Sequence, residues 1–158
     1  MKRSSFNNRR APIGRRTQIR QTPTRYDLRK TARAEWLTLR DKSDTLFSKI
    51  IRSAGRCRYC GSTYALEAAH IIGRGHNVTR CDLNNAICLC KVCHYHFTNS
   101  SKAEWSFWVD HVKGAGYYQT LWTEANDVRL RAGSNVDFWT NKHTELKAHW
   151  AEIEKHQC

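Results

Sequence analysis

The chain has 158 residues, which is enough for one domain with a modest core but not for two large ones. Its 27 lysines and arginines outnumber 14 aspartates and glutamates, and the net charge of +13 favours a polyanionic partner, with nucleic acid ahead of a membrane surface. No apolar run is long enough to span a bilayer. The first ten residues lack the apolar stretch of a secretory signal, although their arginine-rich composition also resembles a transit peptide.

Residues 1–30 form a basic segment with few apolar side chains, so we expect an N-terminal arm that does not fold alone. Such an arm either contacts the phosphates of a nucleic acid or is a solvated tail. The near absence of acidic residues favours the arm that contacts phosphates. Residues 31–53 follow, with apolar residues at helical spacing up to Gly55. This pattern predicts a leading helix whose apolar stripe packs against the next segment.

Residues 57–98 contain two C-x-x-C pairs, Cys57/Cys60 and Cys90/Cys93. Two such turns deliver the four thiolates that a structural zinc ion prefers, and a redox dithiol would require only one pair. Between the pairs, the pattern predicts a strand over Tyr64–Ile72, a loop, a second strand over Asn85–Leu89 and a helix beginning near Cys90. Cys81, Cys88 and Cys158 lie outside the pairs and are interpreted as bystanders.

Residues 101–158 are predicted to form a helical extension of the same domain. Ser101 and Glu104 have the spacing of a capping box that opens one helix, and Tyr117–Arg131 and Val136–Lys155 have helical patterns separated by glycine-containing breaks. Their aromatic residues are interpreted as core in preference to a platform for stacking bases.

His70, Asn85 and His94 are the candidate catalytic residues. Phosphodiester hydrolysis needs a base that activates water and a cation that stabilises negative charge. A neutral imidazole suits the base, an asparagine can fix geometry, and His94 directly follows a zinc-ligating cysteine. Each residue alone is more typical of a structural role, but the thiolate frame around all of them favours catalysis.

The stretch from Asp44 to Asp127 resembles the HNH endonucleases in their four-cysteine, ββα-metal form, and more narrowly the phage-associated group that includes NinG-like recombination nucleases. The motifs that carry this resemblance are Leu46–Arg52, Ala69–Ile71, Thr79–Arg80, Asp82–Ala86 and Cys90–His94.

The resemblance implies an α+β fold with a ββα-metal core, DNA as substrate, and a cytoplasmic location in a bacterium or a phage-infected cell. It assigns His70 as general base, Asn85 as the residue that orients this base, and His94 as a ligand of a catalytic magnesium or manganese ion. It also assigns the structural zinc to Cys57, Cys60, Cys90 and Cys93.

One position departs from the family pattern. Many members have an acidic metal ligand just before the base, where this chain has Ala69. Glu67 would point to the same face of a strand and is the substitute that we expect, ahead of His76 and His96. Phosphate contacts are expected from the basic residues around the site, which are Arg58, Arg74, Arg80 and Lys91, with Arg80 the strongest candidate.

These patterns predict a metal-dependent DNA endonuclease, which could act as a dimer if it cuts both strands. A catalytically inactive zinc-bearing nucleic-acid-binding module is the alternative, because Ala69 replaces the usual ligand. A nuclease directed at RNA also remains open.

Overall fold

A computed structural model describes residues 22–130 and 135–157, so most of the predicted basic arm lies outside the described residues. Five α-helices, a short 3-10 helix at Leu83–Asn85 and one two-stranded antiparallel sheet make up the regular structure of this part of the chain, as the mixed helix and strand pattern predicts. In chain order the α-helices and strands are α1 (Arg25–Arg52), β1 (Leu66–His70), β2 (Ala86–Cys90), α2 (Lys91–Asn99), α3 (Lys102–Lys113), α4 (Tyr117–Ala125) and α5 (Val136–Gln157).

Helix α1 begins at Arg25, six residues before the predicted start of the leading helix at residue 31. Thr24 caps the helix: its hydroxyl oxygen accepts from the backbone N–H of Asp27, and the Asp27 carboxylate accepts from the Thr24 backbone. This reciprocal cap satisfies two backbone donors and starts the helix inside the arginine-rich segment. Residues 22–35 are all exposed, so α1 meets the rest of the fold only from Trp36 onwards.

The two strands pair with Glu67 opposite Leu89, Ala69 opposite Ile87 and His70 opposite Ala86. Cross-strand partners share a face, so the register divides the sheet into two sides. On one side, Ala69, Ile87 and Leu89 pack with buried residues of α2, α3 and α4. On the other, Ala86 packs with Phe47, Ile50 and Cys81 and with Trp139 and Leu146 of α5.

The long connection between the strands, residues 71–85, is fastened by α3 and α4. Trp105 on α3 donates its indole N–H to the Ile71 carbonyl at 3.0 Å. Tyr117 at the start of α4 donates its hydroxyl to the Asn84 carbonyl at 2.9 Å. The helical extension therefore positions both ends of the loop that carries the predicted site.

Other boundaries differ by a few residues from the sequence-based expectation. Strand β1 is shorter than predicted at both ends, and Tyr64 is 84% exposed. Helix α4 ends at Ala125, before Asn126, whose side-chain amide donates to the Trp122 carbonyl and terminates the helix. Ser101 caps α3 as expected, accepting from the Glu104 N–H at 3.1 Å. Among the helices described, none is both long enough and apolar enough to cross a membrane.

Candidate metal centre and active site

The four cysteines of the two C-x-x-C pairs form one cluster. Their Sγ atoms all lie within 4.8 Å of one another, and those of Cys60 and Cys90 are 3.7 Å apart. Four ligands at about 2.3 Å from a tetrahedral zinc ion lie about 3.8 Å from one another, so the cluster fits zinc. In the described part of the chain, no other group of three or more histidine, cysteine or acidic side chains converges in this way.

The local backbone favours formation of this cluster, both by its conformation and by its hydrogen-bond donors. Gly61 follows the first pair with φ +76°, a conformation that glycine adopts without strain. Burial opposes ionisation of Cys57, but backbone N–H groups of Cys60, Cys90 and Tyr59 point at its sulfur and lower its pKa to about 6. A thiolate is therefore available near neutral pH, which favours metal binding.

Cys90 is the N-cap of α2 and Cys93 lies in its first turn, so the second pair ties the cluster to this helix. The Arg58 backbone N–H also donates to the Cys88 carbonyl at 2.8 Å and so fixes the first pair against β2. The cluster thus joins the chain before β1 to the helix after β2, and it fixes the turn that precedes His94.

His70 lies at the end of β1 with its Nε2 atom 2.8 Å from the backbone carbonyl oxygen of Arg80. A carbonyl can only accept a hydrogen bond, so Nε2 carries the hydrogen, and in the neutral ring Nδ1 has the lone pair. The ring also lies 4.8 Å from that of Phe47 on α1. Burial is the largest influence on the His70 pKa and lowers it; the Arg74 charge lowers it further, and the Arg80 carbonyl partly opposes both.

Asn85 is completely buried and braces the loop between the strands. Its Oδ1 accepts from the Ile72 N–H at 2.7 Å, and its Nδ2 donates to the carbonyl oxygens of Ile72 and Thr79 at 3.0 and 2.9 Å. These three bonds use both ends of the amide. The Asn85 amide makes these bonds to the two backbone segments that flank the loop leading to Arg80 and none to the His70 ring.

His94 on α2 forms a hydrogen bond with Glu67 on β1. Its Nδ1 lies 2.7 Å from the Glu67 Oε2, and the carboxylate accepts this hydrogen bond. The bond leaves Nε2 of a neutral His94 as the atom able to ligate a metal ion. Of the two other substitutes considered for the missing acid, His96 pairs with Glu104. His76 lines the same cleft as His70 and His94, and its Nδ1 lies 3.2 Å from the Ala125 carbonyl oxygen.

A cleft of about 400 Å³ brings the two candidate catalytic histidines together. His70, His94 and Ala69 all line it. Glu67 does not; it lines a neighbouring depression with Lys91, which His94 also borders. His94 therefore stands between the two, with His70 on one side and Glu67 on the other.

The four basic residues expected to contact phosphates have different surroundings. Arg58, Arg74 and Lys91 are exposed. Arg80 instead forms a bidentate ion pair with Asp44 of α1, and its remaining nitrogen donates to the Arg74 carbonyl at 3.0 Å. The Arg80 guanidinium is thus held by contacts within the protein, and the phosphate contact expected of it stays a prediction.

Asp44 is the site residue that sequence reasoning missed. It lies on α1, 36 residues before its partner Arg80 and just ahead of the Leu46–Arg52 motif, which does not include it. Its carboxylate also accepts from the Cys81 thiol at 3.3 Å, so Cys81, taken as a bystander, belongs to the same network. Neither contact leaves a signal in the spacing of the residues.

Residues 57–101 match a family model described as HNH endonuclease. Comparisons with curated proteins and with solved structures found no match. The matched segment contains the four cysteines, both strands and the whole of α2. This match and the four-cysteine cluster together support the assignment of residues 57–101 to an HNH family.

Proposed function

We propose that the protein is a divalent-metal-dependent endonuclease that hydrolyses DNA phosphodiester bonds, with β1, β2 and α2 as its ββα-metal core. The observation that carries this proposal is the cleft shared by His70 and His94, in which the hydrogen bond to Arg80 gives His70 a lone pair on Nδ1. A base and a metal ligand at one cleft are what hydrolysis of a phosphodiester requires. Within this proposal, residues 31–158 act as a single nuclease domain behind a basic arm.

In the proposed reaction, His70 takes a proton from the attacking water at Nδ1, while Nε2 keeps its bond to the Arg80 carbonyl. His94 would hold a magnesium or manganese ion through Nε2. When bound, such an ion supplies positive charge that stabilises the phosphate and the leaving oxygen. Magnesium usually retains several waters and needs few protein ligands, so the small number of ligands here is compatible with it.

Glu67 contributes to this site through His94. A carboxylate that accepts from the second ring nitrogen of a metal-binding histidine fixes the orientation of the ring and raises its basicity. The contact between Glu67 and His94 supports this role, and direct ligation by Glu67 is the alternative. In both cases Glu67→Gln should raise the magnesium concentration needed for half-maximal cleavage. Unchanged cleavage at limiting magnesium would remove Glu67 from the site.

The net charge of +13 and the exposed side chains of Arg58, Arg74 and Lys91 support DNA as the partner. A zinc-bearing binding module without catalysis is the second candidate, favoured by Ala69 at the position where many relatives have a metal ligand. The phage-associated NinG-like grouping, the cytoplasmic location and dimerisation remain predictions.

The decisive experiment is plasmid cleavage by the purified full chain with magnesium, with manganese and without added divalent metal, alongside His70→Ala. The sample without added divalent metal is prepared without a chelator, because a strong chelator would also remove zinc from the four-cysteine cluster. Zinc content is measured in every sample. Metal-dependent nicking that disappears in His70→Ala is the expected result. Salt-sensitive DNA binding without cleavage under any metal condition would favour the binding module.

A further inference from the structure

The cleft that contains His70 and His94 continues over an aromatic surface on α3 and α4. Trp105, Tyr118 and Trp122 line the cleft itself. A second depression of about 270 Å³ shares Tyr118, Trp122 and Lys102 with it. The two depressions therefore form one continuous track, which leads from the histidines to the outer surface of the two helices.

Trp122 is the most exposed of the aromatic side chains that line this track. It is 39% exposed, and its ring lies edge to face with His76 at 5.7 Å. Trp105, by contrast, donates its indole N–H to Ile71 and stacks on Trp108. Single exposed tryptophans are common on protein surfaces, so the position of Trp122 beside the histidines is more informative than its exposure.

The charge of the track favours an anionic occupant. Lys102 is exposed and lines both depressions. Within the described parts of the chain, no aspartate or glutamate lines either depression. Aromatic faces next to a cation are the combination by which proteins bind unpaired nucleotides, because the rings stack on bases while the cation neutralises the backbone.

We propose that this track binds an unpaired nucleotide next to the scissile phosphate, with its base stacked on Trp122 and its backbone near Lys102. This inference rests on the proposed nuclease function and defines its substrate class as DNA with a single-stranded or unpaired nucleotide beside the cut. A base inside a regular duplex is covered on both faces by its neighbours and reaches a side chain only by leaving the stack. An apolar peptide side chain would also fit the rings, but its binding would not depend on a base.

The test measures DNA binding by fluorescence anisotropy, using the zinc-loaded full chain with His70→Ala and no added divalent metal, so that no cleavage occurs. Three labelled duplexes serve as probes: one with a single unpaired thymine, one with an abasic site at that position, and one that is fully paired. Trp122→Leu is compared with Phe107→Leu, a matched control because Phe107 is 79% exposed on α3 and lines neither depression.

Trp122→Leu should weaken binding of the unpaired-thymine duplex by about 5- to 100-fold, the effect of losing one stacked base. It should leave the abasic and fully paired duplexes unaffected, and Phe107→Leu should change none of the three. Trp122→Phe should retain most of the affinity. Equal losses on the thymine and abasic duplexes, or no loss on any DNA, would overturn the proposal, and the latter would favour a peptide occupant.

This binding assay is separate from the plasmid assay. If the chain without substitutions nicks DNA but does not prefer the duplex with the unpaired thymine, the proposed role of the track is refuted and the nuclease function is retained. Absence of nicking together with a base-dependent effect of Trp122 would refute the nuclease and retain the track as the binding site of a nucleic-acid-binding module.

Discussion

Asp44 and Arg80 form a bidentate ion pair between α1 and the loop that follows β1, with Nε–Oδ1 and Nη2–Oδ2 distances of 2.8 and 2.6 Å. Both side chains are largely buried, with 24% and 16% of their surface exposed. The backbone carbonyl of the same Arg80 accepts the hydrogen bond from His70. Helix α1 therefore acts on the proposed general base in two ways: Asp44 fixes the backbone of Arg80, which bonds to His70, and the Phe47 ring contacts the His70 ring directly.

Asp44→Asn should lower both stability and the rate of cleavage. The amide keeps the shape of the carboxylate but loses its charge, and hydrogen bonds to charged groups contribute about 1.5–3 kcal/mol. We expect the free energy of unfolding to fall by about that amount. Because the Arg80 carbonyl would be less well fixed, we also expect kcat to fall with little change in KM.

Asp41→Asn is the matched control for this prediction. Asp41 is an exposed residue of α1 whose partner is the adjacent Arg40, so the exchange should affect neither quantity. Urea unfolding and plasmid nicking rates measure the two effects. If the Asp44→Asn variant were less stable but cleaved DNA at the normal rate under conditions in which it is folded, Asp44 would have only a structural role.

Asn85→Asp should destabilise the protein strongly although the two side chains have the same shape. A carboxylate cannot donate to the carbonyl oxygens of Ile72 and Thr79, and each buried acceptor left without a partner costs about 1–3 kcal/mol. We expect the free energy of unfolding to fall by at least about 2 kcal/mol. Asn84→Asp, on the exposed neighbour, should have little effect in the same urea titration. Equal stabilities of the two variants would contradict the brace that the structure gives to Asn85.

Zinc should be present at one ion per chain and should be lost when the cluster is broken. Cys60→Ser removes one of the four ligands, whereas Cys88→Ala removes a buried thiol that is not part of the cluster. Because metal binding is coupled to folding, only Cys60→Ser should lose zinc, together with a large decrease in Tm. Elemental analysis and thermal unfolding measure both. A Cys60→Ser variant that keeps a full complement of zinc would mean that the ion binds elsewhere.

The cleavage rate should rise with pH and level off with a midpoint below the ordinary pKa of a histidine, because His70 acts as a base only when neutral. Burial is the main cause that lowers the His70 pKa, and the Arg74 charge lowers it further. Arg74→Ala removes a positive charge that opposes protonation, so the midpoint should move to higher pH. Arg58→Ala is the control, since Arg58 is an exposed arginine that is not among the main causes of the lowered His70 pKa. Single-turnover rates at saturating DNA separate this effect from weaker binding. A midpoint that does not respond to Arg74→Ala would exclude His70 as the titrating group.

Parts of the fold were predictable because they depend on short-range patterns. The order of β1, β2 and α2 follows from the spacing of apolar residues between the cysteine pairs, and the four thiols converge as their spacing indicates. The cap of α3 at Ser101 was likewise evident from four residues. The start of α1 was missed because composition outweighed the local signal from Thr24 and Asp27, which is a capping box with aspartate in place of glutamate.

The sequence singled out two histidines that share a cleft, but it did not indicate the contacts that support them, and their catalytic roles stay predictions. His70 and His94 share a cleft, but their partners, Arg80 and Glu67, are set by tertiary contacts that no spacing encodes. The ion pair of Arg80 could not be predicted for the same reason, since a lone arginine beside a motif looks the same whether it faces solvent or an aspartate of another helix. The exposed position of Trp122 depended on how α4 packs, which its helical pattern left undetermined.

The hydrogen bond between His70 and the Arg80 carbonyl has a consequence for turnover. The same carbonyl accepts from Nε2 whether the ring is neutral or has gained a proton at Nδ1, so the acceptor suits both forms of the ring. The imidazole can therefore take up a proton and release it without rotating or exchanging partners. A base that needs no reorganisation between its two states is ready for the next substrate as soon as solvent removes the proton.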